Sequence, residues 1–199
     1  MKNGRLARLL ERASMTALLL SSFVGVAGAQ THDDHMMTSS SPQKTNPQQG
    51  ALVKAVRDAT ERFRDVSQAE SEGYGLLFGC VSGGDYGAMG LHYVNFPLVG
   101  DGEVDAAHPE IILYEPLPNG RVRITGADFL VLAADWDAKH QGPPELMGQL
   151  FHFFESPNRF GLPPFYTLHV WAWKDNPNGT FTNWNPDVSC DGFNPPPAP

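Results

Sequence analysis

Residues 110–132 read EIILYEPLPNGRVRITGADFLVL, two apolar runs joined by a turn. The runs, Glu110 to Glu115 and Arg121 to Leu132, are rich in Ile, Val and Leu, which is typical of β-strands. Asn119 and Gly120 between them are the strongest hairpin signal in the chain, because both residue types accept the positive φ of a tight turn. The stretch therefore predicts an antiparallel hairpin.

Further elements are predicted on both sides of this hairpin. Strands are expected at Ala88 to Phe96 and at Phe165 to Trp173, each bounded by Gly, Pro, Asn or Asp. Ala51 to Glu72 repeat apolar residues every three or four positions, which predicts one amphipathic helix that ends at Gly73. A helix followed by an antiparallel meander predicts an α+β domain, with the helix packed on one face of a curved sheet.

The first 29 residues have the organisation of a secretory signal peptide. Four Lys or Arg residues precede an apolar run over residues 15–26 and a small-residue cleavage site before Gln30. The run is shorter than the roughly 20 residues that cross a bilayer as a helix. We therefore expect cleavage, a disordered linker over residues 30–50, a single folded domain over residues 51–192 and a Pro-rich tail over residues 193–199.

Composition and charge narrow the expected partners and location. A formal net charge of -8 makes nucleic acid and anionic membranes poor partners, because both are normally bound through clustered Lys and Arg. No segment after the signal is long and apolar enough to span a membrane, so a soluble periplasmic or secreted protein is expected. In such a protein Cys80 and Cys190 are expected to form a disulfide, the alternative being two separate buried thiols.

One ionisable side chain on each predicted strand shares a face with apolar neighbours, since side chains alternate across a strand. These four side chains are His92, Glu115, Asp128 and His169. Asp128 in particular is expected on the face of Val122, Ile124, Leu130 and Leu132. If the four faces pack together, the polar groups converge in one pocket. Two imidazoles and one or two carboxylates form a ligand set for a divalent transition metal such as zinc, iron, copper or manganese.

Other interpretations of these four residues remain open, because no HExxH or paired CxxC signature is present. Each His could donate a hydrogen bond in the core while the acids pair with Arg or cap turns. A metal-free acid/base pocket around His92 or His169 is a further alternative. In a metalloenzyme the ion would polarise the substrate or activate a water, with Glu115 or Asp128 as the proton acceptor.

The C-terminal third favours a different function, a non-catalytic ligand-binding, glycan-binding or structural module. Trp171 and Trp173, with Trp184 nearby, offer flat rings on which a sugar or an aromatic ligand can stack. The alternative places these rings in the core beside the disulfide. His152 and Glu155, three residues apart, are a further candidate ligand pair if their segment is helical.

Three stretches resemble a family of exported bacterial proteins. They are the run MGLHYVN at residues 89–95, the Tyr114 and Glu115 pair, and the run from His169 through Trp171 to Cys190. The resemblance spans roughly residues 57–190. No activity is assigned to that family, so the resemblance implies export and a shared fold but no substrate and no catalytic residue.

Overall fold

The computed structural model describes residues 47–194 of the chain. The predicted signal peptide, residues 30–46 of the predicted linker and residues 195–199 of the predicted tail lie outside the described residues. Residues 47–50, predicted as the end of the disordered linker, are instead helical. Helix α1, Pro47–Thr60, begins four residues before the predicted start at Ala51. Its first residue is a proline, whose fixed φ suits the first turn of a helix and which there lacks only an N–H that would be unpaired.

The predicted single helix over residues 51–72 is three shorter segments. After α1 come a 3-10 turn, Glu61–Arg64, and helix α2, Val66–Ser71. The break is at Asp65, which has an extended backbone and whose side chain accepts a hydrogen bond from the Ser67 N–H. Asp65 thus caps α2, and an extended residue at this position ends the preceding helical segment.

Six antiparallel strands form one curled, half-barrel sheet, which confirms the α+β class. In chain order they are β1 Gly75–Ser82, β2 Ala88–Val94, β3 Ile111–Pro116, β4 Val122–Leu132, β7 His152–Phe154 and β8 Phe165–Val170. Their spatial order is β1-β2-β3-β4-β8-β7. The short strands β5, Glu145–Leu146, and β6, Gln149–Leu150, pair only with each other.

The predicted hairpin between β3 and β4 is confirmed. The Leu117 N–H donates to the Arg121 carbonyl oxygen across the turn, and Gly120 has a φ of 75°. Two short helices, α3 at Phe96–Val99 and α4 at Ala133–Asp137, follow β2 and β4. Between residues 47 and 194 no helix has the length and apolar character needed to cross a membrane.

The two faces of the sheet carry different cores. One face packs on α1 and the 3-10 turn, where Leu52 and Phe63 contribute fully buried side chains. The opposite face is covered by β1 and by the loop over residues 155–164, and its core centres on Leu113, Leu130 and Phe165. Apart from Val99 of the short helix α3, the described residues of this core come from the strands and from that loop, so polar side chains that point towards the face lie beneath loops and strand edges.

A bulge in β4 determines which side chains reach the second face. The register with β3 shifts by one residue at Thr125. Alternation reverses across such a shift, so Val122 and Ile124 pack with the helix-side core while Asp128 and Leu130 face the other way. The predicted grouping of Asp128 with Val122 and Ile124 is therefore wrong, whereas its grouping with Leu130 is correct.

The predicted disulfide between Cys80 and Cys190 is present. It joins β1 to the C-terminal segment, which also forms a bridge between Ala88 and Asn185. The segment from about residue 185 to residue 193 is thereby tied to β1 and β2.

Candidate metal centre

Three of the four predicted side chains meet on the sheet face that lies away from α1. His92 on β2, Asp128 on β4 and His169 on β8 each place one donor atom within 4.8 Å of the other two. All three residues are buried, with 3–4% of their surface exposed. The grouping follows from strand order, because β2, β3, β4 and β8 are neighbours in the sheet.

Asp128 and His169 lie directly opposite each other in the register of β4 and β8. The Asp128 Oδ1 and the His169 Nδ1 are 3.4 Å apart, without the geometry of a hydrogen bond. The Thr167 hydroxyl donates to the Asp128 Oδ1 at 2.5 Å and so orients the carboxylate. Thr167 was not among the predicted site residues, although it lies two residues before His169 on the same strand face.

Both ring nitrogens of His169 are buried and have no hydrogen-bond partner in the described part of the chain. A neutral imidazole has one N–H donor and one acceptor nitrogen. Each buried polar atom without a partner costs about 1–3 kcal/mol of folding free energy. His169 is buried beside an aspartate and a second histidine, and neither of its nitrogens has a partner among the described residues. This combination indicates a site for a bound ligand.

His92 is oriented by its own strand. Its Nδ1 lies 3.2 Å from the Gly90 carbonyl oxygen, so in the neutral ring Nδ1 donates and Nε2 keeps its lone pair. Gly90 has a φ of +91°, and a Cβ at this position would lie 2.3 Å from the Tyr114 carbonyl oxygen. Only glycine allows β2 to approach β3 this closely. The close approach fixes the position of the Gly90 carbonyl, which orients His92.

Burial sets the protonation of the three groups. It lowers the pKa of His92 to about 4, helped by the nearby His169, and it lowers the pKa of His169 to about 3. Burial also raises the pKa of Asp128 to about 6. At neutral pH the site therefore presents two uncharged imidazoles and one carboxylate, which are the protonation states that bind metals.

The three side chains line a small cavity of about 30 Å³ whose other surfaces are mainly apolar. Its aromatic lining comes from β1, β7, β8 and the loop between the last two: Phe78, Phe154, Phe160 and Phe165. None of the four was predicted as a site residue. Phe160 lies in a loop, where side chains follow no periodic pattern that assigns them to a face, and Phe78 and Phe154 lie in strands that the sequence did not predict. We refer to this space as the inner cavity.

Glu110 is a second buried carboxyl on this side of the sheet, and it was also missed. Glu110 directly precedes β3 and is 2% exposed. Its Oε2 accepts a hydrogen bond from the Leu130 N–H at 3.0 Å. Burial raises the pKa of Glu110 to about 8. Its side chain thus replaces a hydrogen bond of the sheet.

Glu115 does not belong to the site, and its predicted metal role is wrong. Lys174 donates to both of its oxygens at 2.9 Å, and Arg123 donates to Oε2. Burial raises the pKa of Glu115, but these two cations outweigh burial and hold the pKa below its usual value. Glu115 lies four residues along β3 from Ile111, the partner of Asp128, a separation of roughly 13 Å.

The predicted tryptophan platform is also wrong. Trp171 is 3% exposed and packs beside the disulfide, as the alternative interpretation expected. Trp173 is half-buried and donates its Nε1–H to the Thr60 hydroxyl, while the guanidinium carbons of Arg57 and Arg64 lie 6.0 and 5.6 Å from its ring centroid. Trp171 is therefore buried in the core, and Trp173 packs against two core clusters rather than standing free as a stacking platform.

The proposed pairing of His152 with Glu155 required a helix, and this segment is a strand. His152 begins β7 and pairs with Thr167 on β8. Glu155 follows the end of that strand. Spacing of three residues does not place two side chains on one face of a strand.

Comparison with protein-family models, with curated proteins and with solved structures finds no match for this chain. The resemblance to a family of exported bacterial proteins therefore stays a prediction. Function has to be argued from the site itself.

Proposed function

We propose that this protein binds a divalent transition metal through His92, Asp128 and His169, and that the metal holds a small molecule in the inner cavity. The observation that carries the proposal is that neither nitrogen of the buried His169 finds a hydrogen-bond partner among residues 47–194. Coordination of one nitrogen would remove one unpaired polar atom from the core and offset its cost.

The donor distances support a mononuclear site. Nitrogen and oxygen ligands bind these metals at about 2.0–2.2 Å, which separates the donors of a tetrahedral site by about 3.4 Å. The Asp128 Oδ1 and the His169 Nδ1 already have this separation. Since the donors all lie within 4.8 Å, side-chain shifts on the order of 1 Å would complete the set.

Three protein ligands leave a coordination position for a water or a ligand, as in catalytic rather than closed structural zinc sites. When bound, the metal would supply Lewis-acid chemistry at that position. Thr167 would keep the Asp128 carboxylate in place through its hydrogen bond to Oδ1, and Gly90 would keep the proton on His92 Nδ1.

Metal titration of the mature protein, made without a His-tag and treated with a chelator, tests the proposal. We expect one Zn²⁺ or Co²⁺ per chain by calorimetry and elemental analysis, and affinity about 100-fold lower in His92→Gln and His169→Gln. Circular dichroism would show that both variants remain folded.

Two matched variants serve as controls. His108→Gln removes an exposed histidine that pairs with Asp105, and Glu115→Gln removes the carboxylate that lies outside the site; both are expected to keep wild-type metal affinity. Wild-type protein without a stoichiometric metal, or His169→Gln with unchanged affinity, would overturn the proposal.

We also propose that the chain is exported to an oxidising compartment. The disulfide between Cys80 and Cys190 supports this, because such bonds persist mainly outside the reducing cytoplasm. The intact mass of protein recovered from the periplasm or the medium is expected to correspond to a chain that starts at or near Gln30. A mass that still includes the apolar run over residues 15–26 would contradict it.

A further inference from the structure

Met89 lines the inner cavity together with the three proposed metal ligands. It is 3% exposed, yet it belongs to none of the hydrophobic core clusters formed by the described residues. Apart from the three ligands, Met89 and Thr167 are the only described residues of this lining whose side chains contain a heteroatom. Thr167 already donates its hydroxyl to Asp128, so the Met89 thioether is the remaining donor.

A bulge in β2 brings Met89 to the same face as His92. The register of β2 with β1 shifts between Gly90 and Ala88, so Met89 is an extra residue without a partner on β1. In a regular strand, residues three apart point to opposite faces, whereas a bulge of one residue reverses the alternation. The bulge therefore explains why Met89 and His92 line one cavity.

The thioether of a methionine is a soft ligand, and this property separates copper from the other metals that the site could hold. Soft sulfur ligands favour Cu(I), whereas zinc in proteins is bound by Cys thiolates, imidazoles and carboxylates. Imidazole also binds copper, and a methionine serves as a weak axial ligand in copper sites. A thioether beside two imidazoles therefore favours copper.

The count of charges favours the monovalent state of copper. The three proposed ligands contribute one carboxylate and two uncharged imidazoles, so a divalent ion leaves a net charge of +1 whereas Cu(I) leaves none. No Lys, Arg or second acid is among the described residues that line the inner cavity, and the rest of its lining is aliphatic or aromatic. Since a net charge is costly in apolar surroundings, the neutral Cu(I) centre is favoured.

Glu110 does not change this count of charges. Its carboxyl accepts a hydrogen bond from the Leu130 N–H, and burial raises its pKa to about 8. Glu110 is therefore mainly uncharged at neutral pH.

The size of the inner cavity suits an ion rather than a large ligand. Its volume is about 30 Å³, and a buried water needs about 10–15 Å³ on the same measure. The cavity thus has room for a metal ion and a ligand about the size of a water molecule.

On the basis of the proposed metal centre, we propose that its metal is copper, that the site favours Cu(I), and that the Met89 sulfur is an additional weak ligand beside His92, Asp128 and His169. The soft thioether and the balanced charge stabilise Cu(I) more than Zn²⁺. The chain has two cysteines and both form the disulfide, so no thiolate competes with the thioether for the ion.

Competition titrations with Cu(I) and Zn²⁺ test this inference, with copper kept reduced by ascorbate in the absence of oxygen. They use the mature chain with Met36→Leu/Met37→Leu, because the predicted linker otherwise offers thioethers of its own. We expect one Cu(I) per chain, bound at least about tenfold more tightly than Zn²⁺. The X-ray absorption spectrum at the copper edge is expected to show a sulfur ligand.

Two matched variants identify the source of the sulfur. Met89→Leu nearly keeps the side-chain volume and removes the thioether. It is expected to lower Cu(I) affinity about tenfold and to remove the sulfur signal, with Zn²⁺ affinity unchanged. Met147→Leu changes an exposed methionine between β5 and β6 and is expected to alter none of these measurements.

The outcomes distinguish this inference from the proposed metal site. If neither ion binds, the proposed function fails. If Zn²⁺ binds and Cu(I) binds no more tightly, the metal site stands and the assignment to copper is overturned. If Met89→Leu keeps the sulfur signal and the Cu(I) affinity, or loses affinity for both ions equally, Met89 has at most a packing role and its assignment as a ligand is overturned.

Discussion

At the scale of one residue, the hydrogen bonding of the His169 imidazole distinguishes a structural histidine from one that binds a ligand. A histidine kept for structure makes hydrogen bonds inside the core, whereas both nitrogens of His169 are buried without a partner. In the metal-free protein this side chain should therefore be unfavourable, since unpaired buried polar atoms lower stability.

Replacement of His169 by Leu tests that expectation. With the metal removed by a chelator, we expect His169→Leu to raise the free energy of unfolding by about 1–2 kcal/mol, because an apolar group replaces two unpaired nitrogens. Urea denaturation measures the change, and the exposed His108→Leu is the control, with an expected change within about 0.5 kcal/mol. A marked loss of stability in His169→Leu would instead indicate a structural histidine.

Glu110 makes stability depend on pH in a range where His92, His169 and Asp128 have smaller effects. Its pKa is raised to about 8 in the folded protein from an ordinary value of 4.5, so the folded state holds a proton that the unfolded state loses. Its stabilising contribution is full below pH 4.5 and is lost as the pH rises towards 8. The pKa values of the other three groups, about 4, 3 and 6, keep their main effects below about pH 6.5.

In metal-free protein we therefore expect the free energy of unfolding to fall by about 1 kcal/mol between pH 6.5 and pH 8, because the loss at Glu110 is partly offset by His92 and His169, whose unfolded forms release their remaining protons in this range. Glu110→Gln keeps an acceptor for the Leu130 N–H but does not titrate, so this dependence should be absent. Urea denaturation across the range compares the two proteins. An equal slope in both would show that the proton is not held by Glu110.

At the scale of the elements, the contact of β2 with β3 depends on Gly90. An added Cβ would meet the Tyr114 carbonyl oxygen at 2.3 Å, and the φ of +91° also disfavours any other residue. Gly120 in the β3–β4 turn is a matched control, because it has a similar φ of +75° but nothing within 4 Å of an added Cβ.

Gly120→Ala is expected to cost about 1–2 kcal/mol, the cost of a left-handed backbone alone. Gly90→Ala should cost clearly more, because β2 must also move away from β3, and it should weaken metal binding by displacing His92. Thermal or urea denaturation and Zn²⁺ titration measure both effects. Equal costs for the two substitutions would contradict the close approach seen at Gly90.

The strand irregularities explain why face predictions succeeded in part. Alternation correctly grouped His92, Asp128 and His169, because each lies in a regular stretch of its strand. It failed at Ile124, which lies on the other side of the bulge at Thr125. It also could not tell that Glu115, on the expected strand, lies too far along β3 and beside Lys174.

At the scale of the whole molecule, the disulfide closes most of the domain into one loop. Cys80 and Cys190 are 110 residues apart. Replacing both by Ser removes this restriction of the unfolded chain and is expected to lower the free energy of unfolding by about 4–5 kcal/mol. Urea denaturation of Cys80→Ser/Cys190→Ser measures the loss, and a change below about 1 kcal/mol would contradict this expectation.

Local pattern was sufficient for the α+β class, for the hairpin at Asn119 and Gly120 and for the pairing of the two cysteines. These features depend on turn chemistry, on short-range periodicity or on simple counting. Contacts between residues far apart in the chain determine which side chains form the site. The strand order places His92 close to Asp128 and His169, whereas Glu115 pairs with Lys174 and Arg123 instead. A bulge in β1 and a loop place Phe78 and Phe160 at the inner cavity. A single sequence does not encode these distances in any local pattern, because they arise only when the whole sheet has paired.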